Sequence, residues 1–341
     1  METPNGRRRG LLAAVVIAVL FLLAAGAWLW WQFQPVGKGG LRLVRITPGM
    51  SARQIGQKLQ SQGLVRSALA FEWAVRLRGW SGQLQPGTYE LRPSMSPWQV
   101  AQMLAEGRVA TSWVTIPEGY TVRQIAQLME ERGVASAQEF LRLATEEGDT
   151  FRASFPLPKN LEGYLFPNTY RLPRGTGARA AIQAMVSLLE REVYQKYRDE
   201  IERSGFTFHQ ILTIASMIER EAKVPQDRAL ISAVIRNRLK RGMRLEIDAT
   251  VLYALGTHKS RVLYRDLEVD SDYNTYRRKG LPPGPIANPG AACIEAALRP
   301  AEVDYLYYVA RPDGSHIFTR TLQEHRVAIA RARAERSQET P

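Results

Sequence analysis

The chain has 341 residues, 45% hydrophobic and 23% charged, an ordinary globular balance with length for about two or three domains and a sizeable core. Its net charge of +13, from 46 Lys and Arg against 33 Asp and Glu, admits nucleic acid, anionic headgroups or an acidic polymer as neighbours, and equally a solvated basic surface with no specific partner. The single cysteine, Cys293, excludes an intrachain disulfide, so stability must come from packing.

The first predicted element is a membrane span. No charged residue occurs from Gly10 to Gly37, and Leu11 to Phe33 is almost wholly apolar. As a helix it would extend roughly 34 Å and cross a bilayer. Arg7, Arg8 and Arg9 precede it and Trp28, Trp30 and Trp31 close it, a pattern that keeps the N-terminus in the cytoplasm and the rest outside. A cleaved signal peptide is the alternative, although its apolar region normally runs only about 7 to 15 residues. Export argues against a nucleic-acid partner.

A repeat follows. Residues 44–65, VRITPGMSARQIGQKLQSQGLV, align without gaps on residues 114–135, VTIPEGYTVRQIAQLMEERGVA, with eight of the 22 pairs identical. A shorter third copy is Ser94 to Leu104. Each copy places a hydroxyl residue three before a Gln (Ser51 and Gln54, Ser96 and Gln99, Thr121 and Gln124), the capping-box spacing that starts a helix. Pro97 suits a first helical position, and Gly63 and Gly133 suit helix ends. Leu43 to Ile46 and Trp113 to Ile116 alternate and predict strands, so each unit reads as strand, tight turn and helix. GYTVRQIA, Gly119 to Ala126, resembles the opening of a LysM module, a small fold that binds N-acetylglucosamine-containing glycans. Units that merely pack and position a second domain, with Ile55, Val100 and Ile125 in their cores, fit the same pattern.

Prolines 156, 158 and 167 mark an irregular connection over 151–170, after which helical patterns run at about 176–203 and 208–222. Thr207 and Gln210 form a further capping box, and Ile211, Leu212, Ile214, Ala215 and Ile218 give the helix they open a broad apolar face. Glu219 falls at the edge of that face near the helix end, where partial burial and the helix dipole both favour a protonated carboxyl, as a general acid requires. Its spacing to Lys223 equally fits a surface ion pair. No HExxH, GxSxG or GxxxxGK[ST] motif is present, and His209, His258, His316 and His325 lack metal-ligand spacing, so no metal or cofactor is expected. Carboxylate chemistry remains. Near the end, Tyr305 to Ala310 and His316 to Thr319 flank Pro312, Asp313 and Gly314, predicting a hairpin.

LEGYLFPNTY (161–170), ILTIASMIEREA (211–222), RLEIDATVLYAL (244–255) and DYNTYRRKGLPPGPIANPG (272–290) resemble, in order, the motifs of the YceG-like endolytic murein transglycosylases. HIFTRTLQEHR, His316 to Arg326, resembles that family's closing motif, with Arg326 in place of the usual Asn, and Asn168 in place of the usual Asp. The resemblance implies cleavage between N-acetylmuramic acid and N-acetylglucosamine within nascent strands, leaving 1,6-anhydro ends, with Glu219 as the catalytic glutamate. Asp248, Thr250, Tyr253, Asn274, Thr275, Tyr276 and Asn288 match motif positions and are candidates to contact sugar, or else are structural. Pro282, Pro283, Gly284, Pro285 and Gly290 are read as a rigid loop.

The expectation is an α+β protein: cytoplasmic tail 1–10, transmembrane helix 11–33, LysM-like strand/helix repeats 40–150, a mainly helical catalytic domain 151–330 with a C-terminal β-hairpin, and a flexible tail 331–341. It would span the cytoplasmic membrane once, act outside on peptidoglycan glycan strands, and have cell-wall synthases as neighbours. The competing expectation is a non-catalytic, membrane-anchored peptidoglycan-binding scaffold.

Overall fold

The computed structural model describes residues 4–109, 111–256 and 262–339; His258 lies outside them, as do the last two residues of the expected tail. The fold is mixed α+β and divides into two compact units, 1–112 with 173–175, and 113–172 with 176–341.

In the first unit, helix α1 spans Pro4–Gln32, and its portion Val15–Gln32 is long and apolar enough to cross a membrane, with none of it buried in the protein. Then come β1 (Arg42–Ile46), α2 (Ala52–Ser61), α3 (Ala68–Leu77), β2 (Gly87–Leu91) and α4 (Pro97–Ala105). Strands β1 and β2 pair antiparallel, Val44 opposite Tyr89. Ser51 and Ser96 cap α2 and α4 through full capping boxes, with Pro97 opening α4. Their apolar stripes close a core that includes Val44, Ile55, Leu59, Phe71, Tyr89 and Val100.

The second unit contains β3 (Thr111–Thr115), α5 (Val122–Glu131), α6 (Ala137–Glu146), β4 (Thr169–Pro173), α7 (Ala178–Leu189), α8 (Arg198–Arg203), α9 (Phe208–Glu221), α10 (Asp227–Lys240), α11 (Asp248–Leu255), α12 (Ala291–Leu298), β5 (Tyr307–Ala310), β6 (His316–Thr319) and α13 (Leu322–Glu339). Thr121 caps α5 and Thr207 caps α9, again by capping boxes. Helix α9 runs through the core, with every residue from Ile211 to Ile218 buried, and α12 packs along it. Strands β5 and β6 form the predicted hairpin, Tyr307 opposite Thr319.

Three features differ from the sequence expectation. The repeat is larger than strand, turn and helix: each long copy adds a second helix and a returning strand, β2 in the first copy and β4 in the second. Because β4 lies at Thr169–Pro173, the stretch after residue 150 is not a bridge between domains but part of the second copy, closed by Ile116 N–H donating to the Asn168 carbonyl at 2.9 Å. The expected tail is helical through Glu339, with Ala332 buried, because Ala328 and Ala332 lie one turn apart on a face turned inward.

Candidate active site

Glu219 is half-buried two residues before the end of α9, where the run of buried residues gives way. Its Oε2 accepts the backbone N–H of Gly290, the residue that opens α12, at 2.9 Å. Lys223 lies elsewhere, its side chain against Gly314. One turn into α12 the buried Cys293 thiol hydrogen-bonds to Glu219; burial first, then the Glu219 charge, pushes that thiol well above its ordinary range.

A second carboxyl group meets the first. Glu118, in the loop before α5, is exposed as a residue, yet its carboxyl end occupies the place where a Cβ on Gly290 would stand. Burial raises the Glu118 carboxyl above its usual range, the charge of Glu219 adds to this, and Arg228 opposes it. Beside it Gly119 takes φ +75°, and a Cβ there would lie 3.5 Å from Glu219 Cγ. The left-handed backbone is what favours glycine here, since that contact is an ordinary van der Waals distance.

Asn288 ties these loops together. Gly119 N–H donates to the Asn288 carbonyl and Asn288 N–H to the Tyr120 carbonyl, both at 2.9 Å. The side-chain oxygen of Asn288 accepts Leu165 N–H at 2.8 Å, and its Nδ2 donates to Tyr120 O at 2.9 Å and Glu162 Oε1 at 3.0 Å. Ser216 of α9 anchors the proline loop by accepting Ile286 N–H at 3.0 Å.

Glu162 is buried beneath this junction, accepting Val122 N–H at the start of α5 (3.0 and 3.2 Å) and the Tyr253 hydroxyl at 3.4 Å. Burial outweighs these bonds and pushes its pKa up to about 8. The folded protein therefore holds this proton more tightly than the unfolded chain, and the stabilisation is fully present below about pH 4.5 and lost as pH rises through about 8. Unfolding midpoints in urea across that range are expected to fall with pH in the parent, and to fall less in Glu162→Gln; parallel profiles would refute the assignment.

The remaining candidates gather around the start of α11. Thr275 Oγ1 accepts Ile247 N–H at 3.0 Å and shares a 2.9 Å hydroxyl pair with Thr250, while Asn274 donates to Leu267 O and Val269 O at 2.9 and 2.8 Å. The Tyr276 hydroxyl donates to Asp248 at 2.5 Å. Glu221, two residues past Glu219, is pushed up to about 7 by burial and then by Asp248, and accepts the Tyr308 hydroxyl at 3.3 Å.

Placement separates the seven proposed sugar contacts. Thr250 (0% exposed), Asn274 (0%), Thr275 (1%) and Asn288 (0%) are interior and hydrogen-bonded within the protein, which is the arrangement of the structural alternative. Asp248 is exposed, and Tyr253 and Tyr276 are half-buried. Tyr253, Glu162, Thr121, Arg123 and Arg220 line a cleft of about 320 Å³. A larger depression of about 940 Å³, lined by Arg152, Arg179 and Gln183 among others, contains none of the predicted site residues, so chemistry rather than volume selects the site.

Glu118, Glu162 and Glu221 escaped the sequence reading. A signal for Glu118 lay in the repeat itself, where Pro48 of the first copy aligns with Glu118 of the second. Among the described residues no group of three or more His, Cys, Asp or Glu side chains is arranged to hold a metal ion.

The family model described as the YceG-like family matches residues 44–331. The chain is 38% identical over 328 residues to a Bacillus subtilis (strain 168) protein named endolytic murein transglycosylase, covering 90% of each. It is 30% identical over 345 residues to a protein of the same name from Streptococcus pneumoniae (strain D39), covering 90% of this chain and 62% of that one. A crystal structure of a yceG-like protein from Listeria monocytogenes aligns at 38% identity with a TM-score of 0.58, covering 85% of this chain and 99% of the other.

Proposed function

The chain belongs to the YceG-like family, and on that premise we propose that it is an endolytic lytic transglycosylase of peptidoglycan with Glu219 as its acid and base. Glu219 gives its proton to the oxygen leaving the muramic acid anomeric carbon, and that glycosidic bond breaks. The carboxylate left behind takes the proton of the muramic acid C6 hydroxyl as its oxygen bonds to the same carbon, so the 1,6-anhydro ring closes and Glu219 is reprotonated. One carboxyl group serves both steps because no water is added, whereas hydrolysis needs a second carboxyl group spaced to hold water or to act as nucleophile.

The observation that carries this reading is the convergence on Glu219 of segments far apart in sequence: α9, the proline loop ending at Gly290, and the loop before α5. Asp248, Tyr253 and Tyr276, the predicted contacts that keep exposed surface, remain the candidates to orient sugar hydroxyls. The shared strand, helix, helix, strand order of the two long repeat copies supports a common LysM-like module for glycan contact. The apolar helix, with Trp28 and Trp30 exposed at its far end, supports a single-pass anchor, N-terminus inside and the remainder outside, close to strands as synthases make them.

The test is product chemistry. Full-length chain in detergent, incubated with sacculi, is expected to release fragments with anhydromuramic ends by mass spectrometry. Reducing ends alone would make it a muramidase, and binding without any cut would make it a scaffold.

A further inference from the structure

We propose that helix α3 of the first unit lies in the headgroup layer of the bilayer that α1 crosses, its exposed apolar stripe seated on phospholipid. The inference goes beyond the catalytic reading and rests only on α1 as a membrane anchor. Leu69, Trp73 and Leu77 are 59%, 53% and 65% exposed. Spaced four apart, they share one side of α3, while Ala70, Phe71, Ala74 and Val75 turn the other side into the core. The second repeat copy supplies the comparison. Its helix α6 has the same ten-residue length and, like α3, a serine directly before it, so Phe71 matches Phe140 and Val75 matches Ala144, all buried. Leu69, Trp73 and Leu77 then match Gln138, Arg142 and Glu146, which are exposed and polar. The copy joined directly to the apolar helix is the one whose outer side is apolar.

Both ends of α3 are held to the exit of α1. Arg66, two residues before α3, places its guanidinium 4.2 Å from the Trp31 ring centroid and donates to Pro35 O and Val36 O at 3.1 and 3.0 Å. At the other end the Arg78 guanidinium lies 5.8 Å from the Trp98 ring centroid, and Trp98 stacks on Phe33 at 5.5 Å. Gly37 N–H donates to Pro93 O at 3.2 Å, so the chain leaving α1 is pinned to the unit and is no free linker. A helix about 15 Å long whose two ends both bear on residues 31–36 crosses that exit instead of rising away from it. Trp31 belongs to the aromatic belt that settles at headgroup level, which sets the depth of α3. Apolar residues with a tryptophan on one side, flanked by Arg66, Arg78 and an Arg76 that also pairs with Glu72 at 2.8 Å, make the composition of an interfacial helix, the cations suiting anionic headgroups.

The test uses full-length chain in nanodiscs of phosphatidylglycerol and phosphatidylethanolamine, labelled with a bimane fluorophore at Trp73→Cys or Leu77→Cys, the native Cys293 being buried. Lipids brominated on the acyl chain are expected to quench both labels by roughly half, since an interfacial helix seats its apolar side about 5 to 10 Å deep. Leu69→Gln with Leu77→Glu, the residues α6 carries at those places, is expected to remove most of the quenching at the Trp73→Cys label; quenching that survives it overturns the role of the stripe. A label at Trp28→Cys reports on the anchor. If that label is quenched and neither α3 label is, the inference fails and the anchor stands; if it is not quenched, α1 is no anchor and the inference fails with it. Quenching at Trp73→Cys without Leu77→Cys overturns the in-plane placement. Labels shielded from aqueous iodide yet untouched by brominated lipid would put protein, such as a second copy, on the stripe and overturn the lipid assignment.

Discussion

Glu219→Gln is expected to lower the rate of anhydromuramic end formation by roughly 10²- to 10⁴-fold, the usual contribution of a positioned acid–base group. Glutamine keeps the shape and still offers an oxygen to Gly290 N–H, so Tm and glycan binding should hold while kcat collapses. That split matters because the eight residues of α9 before Glu219 are all buried, and a disruptive substitution there would be read as loss of fold. A Gln variant that cuts at the parental rate would remove Glu219 from the mechanism.

Asn288→Ala is expected to destabilise the second unit by about 1 to 3 kcal/mol, the usual cost of a buried group left unsatisfied, here Leu165 N–H. The change strands Leu165 N–H, removes a donor from Tyr120 O and strips one from the buried Glu162. Urea unfolding of the full chain, followed by a probe in that unit, checks the magnitude. A loss below about 1 kcal/mol would mean that water or a rearranged loop replaces these bonds. The same variant should slow catalysis, because the loops that Asn288 joins also carry Gly119 and Gly290 to Glu219.

Local features were legible in the chain. The four capping boxes, Pro97 opening α4, the left-handed Gly63 and Gly133 after their helices, the C-terminal hairpin and the apolar N-terminal helix each follow from a few neighbouring residues, and each stands where it was expected. The extent of the repeat was not legible, because its returning strand β4 is recognised only by pairing with β3, more than fifty residues earlier. Asn288 looked open to two roles in sequence; three hydrogen bonds from distant segments made it an internal clamp.

By itself the sequence determined where α2, α4, α5 and α9 begin, which face of α9 turns inward and that Glu219 lies at that face's edge, since periodicity and capping act within a turn or two. Tertiary structure alone decided that Glu118 meets Glu219 across Gly290, that Glu162 is sealed from water and that Thr250, Asn274 and Thr275 are interior. Close approach and desolvation arise from chain segments packed together from far apart, and no local pattern encodes which of them will meet.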